Sequence, residues 1–132
     1  MIQTEIQIRV RYGETDRMGY VYYGNYAQYF EVARVEALRE LGVSYRKMEE
    51  DGIMLPVHTY SVKFIQPAFY DDLLTIRTRI LKIAGTRIYF GFDSYNEKGE
   101  LINTAEVSLV FVNAVTKKPC PPPDDLLLRL TN

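Results

Sequence analysis

The chain has 132 residues, of which 47% are hydrophobic and 25% charged, and its formal net charge at pH 7 is −1. This length suits one domain, the composition is that of an ordinary globular protein, and the small net charge provides no global attraction to nucleic acid or to an anionic membrane surface. We therefore expect a single domain over residues 1–132 and no nucleic-acid partner.

The N-terminal sequence alternates apolar and polar residues, without the basic head and continuous apolar stretch of a signal peptide. No apolar run approaches the roughly 18 residues that a membrane-spanning helix needs. Cys120 is the only cysteine and His58 the only histidine, so no intrachain disulfide can form and there is no cluster of zinc ligands. These features predict a cytoplasmic protein with no membrane span, no bound metal and no dissociable cofactor.

The first half of the chain combines one strand with helical segments. Residues 4–11 alternate apolar and polar side chains, which predicts a strand with one buried face. Residues 13–19 contain two glycines and short polar side chains, as is typical of a turn. From Tyr26 to Leu41 apolar residues recur every three or four positions, which predicts an amphipathic helix with Asn25 as its N-cap. A short second helix is expected over residues 44–50.

The second half is rich in β-branched and aromatic residues and predicts four strands, over residues 54–66, 72–84, 86–97 and 100–113. The connections between them are short enough for antiparallel hairpins and too short for parallel crossovers. The proline-rich segment 119–123 cannot continue a ladder, so we expect an extended tail with one short helical turn. A long helix followed by antiparallel strands predicts an α+β fold in which the sheet wraps the helix.

Several familiar catalytic patterns are absent from the sequence. There is no G-x-S-x-G elbow, no phosphate-binding glycine loop and no dinucleotide fingerprint. A Cys120–His58 pair would have to join a proline run to the start of a strand, and the spacing does not support it. His58 is therefore expected to be a half-buried strand residue with an ordinary hydrogen bond.

One segment does combine groups that suit chemistry, because a loop containing Asp16 leads directly into the predicted long helix. Amides at a helix start carry partial positive charge and stabilise a developing oxyanion. A nearby carboxylate can activate water or attack a carbonyl itself. Thioesters suit such a site because a thiolate leaves readily. The alternative is that Asp16 merely caps a turn, with Glu14 as its solvated neighbour.

The same segment resembles a known family. Residues 12–23, followed by Asn25-Tyr26 and residues 30–34, resemble the signature of the 4-hydroxybenzoyl-CoA thioesterase-like hot-dog proteins. Further matches lie in Pro67-Ala68, residues 70–76, 105–107 and 110–112. The resemblance implies a five-stranded antiparallel sheet wrapped around one long central helix, assembled as a homodimer or homotetramer. It also implies hydrolysis of an acyl- or aryl-CoA thioester.

By that resemblance Asp16 is the catalytic carboxylate, as general base or nucleophile, and the backbone amide of Tyr23 binds the oxyanion, with Gly24 and Asn25 as substrate-binding neighbours. The family branch linked to the bacterial Tol-Pal system carries a histidine where this chain has Gly24, so a mechanism using that histidine is unavailable here. That branch also has consecutive basic residues near the third hairpin. Here only Lys82 and Arg87 flank the corresponding turn, and we expect them to bind the CoA phosphates.

Other interpretations concern a second carboxylate and other activities. Another hot-dog branch uses a glutamate on the helix, but Glu31 is expected to pair with Arg34 instead. A hot-dog hydratase or dehydratase would need a histidine paired with a carboxylate, and His58 lies in no resembling motif. A non-catalytic acyl-CoA binding or sensing module would keep the pocket and dispense with Asp16. The tyrosines between residues 20 and 29 are expected to serve mainly as core and interface residues.

Overall fold

The structure is a computed structural model and describes residues 2–131. Within that range the chain forms, in order, β1 (Ile2–Arg9), α1 (Tyr26–Glu40), α2 (Tyr45–Glu50), β2 (Ile53–Met54), β3 (Val57–Phe64), β4 (Leu73–Ala84), β5 (Arg87–Tyr95), β6 (Leu101–Val110), β7 (Val112–Asn113) and α3 (Asp124–Thr131). Two short 3-10 turns, Tyr12–Glu14 and Tyr23–Asn25, connect β1 to α1.

The main sheet has five strands in the order β1-β4-β5-β6-β3, and every neighbouring pair is antiparallel. This confirms the predicted sheet. The predicted strand over residues 54–66 is divided into β2 and β3, because Pro56 between them has no N–H to donate to a ladder. The predicted strand 100–113 is likewise divided at Phe111, whose amide donates to the carbonyl of Thr86 at 2.8 Å.

Helix α1 packs against one face of this sheet and forms the core with it. Phe30 and Ala33 of α1 are fully buried, as are Phe90 and Phe92 of β5. The rings of Phe30 and Phe92 stack with centroids 4.8 Å apart. Burying each such ring contributes about 2 kcal/mol or more. The sheet therefore wraps one long helix, which confirms the α+β hot-dog arrangement.

The start of α1 differs from the prediction. Asn25 has helical dihedral angles (φ −74°, ψ −20°) and its side chain makes no capping hydrogen bond, so its assignment as N-cap was wrong. The 3-10 turn extends the helical backbone to Tyr23, and the extended residue before it is Tyr22. The Asn25 side chain instead donates from Nδ2 to the carbonyl of Glu14 at 2.8 Å. Asn25 thus ties α1 to the preceding loop.

The C-terminal segment is longer and better anchored than the predicted short turn. Helix α3 has eight residues, and its Leu126 is fully buried. Arg129 donates from Nη1 to the carbonyl of Leu41, just after α1, at 3.0 Å. None of the described helices is long and apolar enough to cross a bilayer.

Candidate active site

Asp16 occupies a tight loop that its own side chain stabilises. The amide of Asp16 donates to the carbonyl of Tyr20 at 2.8 Å, and that of Gly19 donates to the carbonyl of Asp16 at 3.0 Å. Gly19 adopts φ +81°, a conformation that favours glycine. Asp16 Oδ1 accepts from the amides of Met18 and Tyr20 at 2.9 and 3.2 Å. Within residues 2–131, Oδ2 has no hydrogen-bond partner, so one oxygen is fixed and the other is available.

The Asp16 loop is attached to the segment between β3 and β4. Val21 donates its amide to the carbonyl of Ala68 at 2.8 Å. Tyr20 forms an antiparallel bridge with Phe69, and their rings meet edge to face with centroids 5.5 Å apart. The sequence pattern indicated only a strand break at residues 66–68. In the fold, the backbone of Ala68 and Phe69 supports the Asp16 loop.

Glu14, two residues before Asp16, is buried, with 8% of its surface exposed, so the alternative interpretation was wrong to describe it as a solvated neighbour of Asp16. Its carboxylate accepts from the Arg11 amide and from the Arg11 guanidinium at 2.7 to 3.1 Å. It also accepts from the Tyr29 hydroxyl at 2.8 Å. Burial raises the pKa of Glu14, but the hydrogen bonds from Arg11 and Tyr29 outweigh it and hold the pKa below its ordinary value.

The backbone between Tyr22 and Asn25 exposes two amides at the start of α1. Tyr22 donates its amide to the carbonyl of Glu14 and Asn25 donates to the carbonyl of Tyr22, each at 2.9 Å. The amides of Tyr23 and Gly24, between them, have no acceptor in the described part of the chain. The helix macrodipole adds partial positive charge here. Such amides can donate to an oxyanion.

A cavity of about 300 Å³ brings Asp16 and Tyr23 together. Its walls are largely apolar and include the aromatic rings of Tyr20 and Tyr26. Burial raises the pKa of Tyr26 to about 12, so its hydroxyl stays protonated at neutral pH. The cavity therefore offers an apolar enclosure with a carboxylate at its edge.

The cavity residues that the sequence analysis did not assign to the site include Phe64, Ile65 and Gln66. Phe64 is the last residue of β3 and the other two follow it. The ring of Phe64 lies 5.8 Å from that of Tyr26, which is 38 positions earlier in the chain. The available signal was the apolar pair Phe64-Ile65, one residue before the family-like Pro67-Ala68. Local periodicity could identify them only as a strand end.

Lys82 and Arg87 lie elsewhere in the same chain. Both are exposed at the β4–β5 hairpin, where Arg87 pairs with Ala84, and Lys82 Nζ lies 4.8 Å from the centroid of the Tyr89 ring. The Asp16 loop is bound to Phe69, just before the opposite end of β4. Nine residues of strand separate Leu73 from Lys82, a span of roughly 30 Å. One chain therefore does not bring these cations to the cavity of Asp16.

The remaining candidates also lie outside the cavity. Arg34 is buried, with 8% exposed, whereas Glu31 is exposed. No Glu31–Arg34 ion pair is present among the described residues, so that prediction was wrong: Arg34 belongs to the buried face of α1. His58 is exposed on β3 rather than half-buried, and Cys120 packs against the core. Across residues 2–131, no three His, Cys, Asp or Glu side chains are grouped to hold a metal.

Comparison with known proteins places this geometry in context. A model described as the thioesterase-like superfamily matches residues 10–130. The chain is 35% identical to the acyl-CoA thioester hydrolase YbgC of Escherichia coli over 85% of this chain and 84% of that protein. It is 25% identical to the 1,4-dihydroxy-2-naphthoyl-CoA hydrolase of Thermosynechococcus vestitus, over 92% and 84%. The crystal structure of a DHNA-CoA thioesterase from Staphylococcus aureus superposes with a TM-score of 0.95 at 36% identity, covering 99% of this chain and 90% of that one.

Proposed function

The chain belongs to the thioesterase-like superfamily, and from that premise we propose that it hydrolyses an acyl- or aryl-CoA thioester to the free acid and coenzyme A. The observation that carries the proposal is the pairing of Asp16 and Tyr23 on one cavity. Asp16 has an unbonded carboxylate oxygen, and Tyr23 has an amide without an acceptor in the described chain. A carbonyl between them would meet a base and an oxyanion donor together.

In the proposed reaction the thioester carbonyl oxygen points to the Tyr23 amide, and Asp16 Oδ2 faces the carbonyl carbon. Asp16 removes a proton from water as the water oxygen bonds to that carbon, and the oxyanion accepts from the amide. Collapse of the tetrahedral intermediate breaks the C–S bond. The departing thiolate of coenzyme A is a good leaving group, since thiol pKa values lie near 8.5. The proton held by Asp16 returns to the thiolate or to solvent.

A second pathway uses the same residue as a nucleophile. Asp16 would attack the carbonyl, release the CoA thiolate and form a mixed anhydride, which water then hydrolyses. Both pathways need the same placement of Asp16 and the same oxyanion donor. Neither pathway requires a histidine, in keeping with Gly24 at the position where another branch has one. A hydratase would require His58, which lies on β3 away from the cavity.

We propose that the working unit is a homodimer or homotetramer. Strand β3 is an edge of the sheet and pairs with β6 on one side. Nearly all of its residues are exposed, including the apolar Val57 and Phe64, each 52% exposed. An exposed apolar edge of this kind favours pairing with another strand. A second copy would also supply Lys82 and Arg87 from outside the chain that carries Asp16.

The proposed compartment is the cytoplasm. One product, coenzyme A, carries a free thiol, and the cytosol keeps thiols reduced.

The test is a panel of aryl-CoA and short- to long-chain acyl-CoA thioesters, scored by release of free CoA thiol. The expected result is turnover of at least one member, and its loss in the Asp16→Asn variant. Absence of turnover across the panel by a folded wild-type protein would contradict the proposal. Turnover that is unaffected by Asp16→Asn would place the reaction elsewhere.

A further inference from the structure

We infer that Glu14 is the positioning residue of this site, holding the Asp16 loop and the oxyanion amide in one fixed relation. The inference rests on the proposed function for its catalytic consequence, and on geometry alone for its structural part. Glu14 does not line the cavity. It acts indirectly, by holding the backbone that leads to Asp16 and to Tyr23, the two proposed catalytic positions that do line the cavity.

The side chain of Glu14 anchors the loop to the body of the protein. Four donors reach its two carboxylate oxygens: the amide, Nε and Nη2 of Arg11, and the hydroxyl of Tyr29. Arg11 follows β1, whereas Tyr29 is a buried residue of α1. One carboxylate therefore joins the end of the first strand to the helix. Charge-assisted hydrogen bonds of this kind are about twice as strong as neutral ones.

The backbone of Glu14 organises the helix start. Its carbonyl oxygen accepts both from the Tyr22 amide at 2.9 Å and from Asn25 Nδ2 at 2.8 Å. These two donors bracket Tyr23 and Gly24, the residues whose amides have no acceptor in the described chain. By holding the residues on either side, Glu14 fixes the peptide that carries the oxyanion donor.

Glu14 also stands only two positions before Asp16. The Glu14 side chain accepts four hydrogen bonds and its carbonyl accepts two. The position from which the backbone enters the Asp16 loop is therefore fixed. The relation between the carboxylate and the Tyr23 amide then depends on this residue together with the attachment of Val21 to Ala68. Displacing a catalytic group by about 1 Å can lower a rate about a hundredfold. Loosening Glu14 is therefore expected to lower kcat without removing any contact to substrate.

The test compares Glu14→Gln with Asp93→Asn. The Gln variant keeps the size of the side chain and removes its charge. Asp93 is a matched control because its side chain is similarly enclosed and pairs with Arg79 at 2.8 Å, and because it does not line the cavity. We expect Glu14→Gln to lower kcat by about tenfold to a hundredfold, with KM little changed. Asp93→Asn is expected to keep wild-type kcat.

A second measurement does not depend on hydrolysis. Amide hydrogen exchange of Tyr22, measured by NMR in folded protein, reports the bond to the Glu14 carbonyl. We expect exchange about tenfold faster in Glu14→Gln and unchanged in Asp93→Asn. Should wild type hydrolyse nothing on the panel, the proposed function fails, while this measurement still decides whether Glu14 positions the helix start.

A folded Glu14→Gln variant with wild-type kcat, or one with wild-type protection at Tyr22, would overturn the inference. An equal fall of kcat in Asp93→Asn would likewise show a general loss of stability rather than positioning. If Glu14→Gln does not fold, Tyr29→Phe removes one donor to the same carboxylate. It should show the same pattern in kcat and exchange at smaller size, and wild-type behaviour there would refute the inference.

Discussion

The ring of Tyr22 occupies the space that a side chain on residue 24 would enter. A Cβ atom added to Gly24 would lie 2.7 Å from Cε2 of Tyr22. The ring is 47% exposed and packs against the ring of Tyr23 with centroids 4.7 Å apart. A histidine at position 24 of this chain would therefore require the Tyr22 ring to move. The two positions are coupled beside the proposed oxyanion amide.

This coupling predicts a mild effect of Gly24→Ala. Because the Tyr22 ring is exposed, it can move away from the new methyl group, and we expect the free energy of unfolding to change by no more than about 1 kcal/mol. The Tyr22 and Tyr23 ring resonances in NMR should shift as the two rings separate. A loss of several kcal/mol, or unchanged ring resonances, would show that the contact is not relieved in this way. Gly13→Ala is the matched control, since an added Cβ there has no atom within 4 Å, and it should leave both rings unshifted.

Replacing Asp16 separates its two roles. Asp16→Asn keeps an Oδ1 acceptor for the amides of Met18 and Tyr20, so the loop should persist while kcat falls by about a hundredfold or more. Asp16→Ala removes the cap as well and should cost about 1 kcal/mol of stability in addition. Steady-state kinetics and urea unfolding of both variants provide the measurement. An Asn variant that retains most of its kcat would refute the catalytic role and leave only the cap.

Lys82 and Arg87 are predicted to bind the phosphates of coenzyme A from a neighbouring subunit. Replacing both by alanine should raise KM and leave kcat nearly unchanged, since uniform binding is lost. The KM of wild type should rise with ionic strength more steeply than that of the variant. The control is the double replacement of Arg46 and Lys118, two exposed cations outside β4 and β5. An unchanged KM at low salt would remove Lys82 and Arg87 from the site.

Subunit complementation tests the assembly. A dimer mixed from Asp16→Asn and the Lys82→Ala/Arg87→Ala variant contains one site with both functions intact. At a substrate concentration well below the raised KM, where each variant alone is slow, we therefore expect activity to increase when the two proteins are refolded together. Neither variant refolded alone should gain activity. A fully active monomer in light scattering at assay concentration, or no rescue despite measured subunit exchange, would contradict the shared site.

The pKa of Glu14 predicts how stability depends on pH. Its pKa in the folded chain is below the ordinary value of about 4.3, so folding favours the ionised form. Its contribution is fully present above the unfolded pKa and is lost as pH falls through the lower folded pKa. Glu14→Gln should therefore be less stable than wild type at pH 7, with the difference shrinking in acid. Urea unfolding at pH 7 and pH 3 measures this, and a constant difference would contradict it.

Local patterns in the sequence were enough to predict most of the fold. The recurrence of apolar residues from Tyr26 to Leu41 identified α1, which ends at Glu40, and alternation identified β1. Short connections required antiparallel pairing, as the sheet shows. Each of these features depends on neighbours within a few positions in the chain, where side-chain periodicity follows directly from backbone geometry. The loop motif around Asp16 was equally local, so the sequence could select Asp16 as a candidate, and its catalytic role stays a prediction.

The tertiary structure alone decided which polar groups are buried and what they contact. Glu14 is buried because Tyr29 on α1 and Arg11 provide its donors, and Asn25 bonds to the loop rather than capping the helix. The end of β3 reaches the cavity only when β3 pairs with β6. These contacts join residues from separate elements, and burial of a charge is favourable only where distant partners compensate its lost hydration. Whether those partners offset the lost hydration depends on how the whole chain packs, and no periodic pattern of residues in the sequence indicates it.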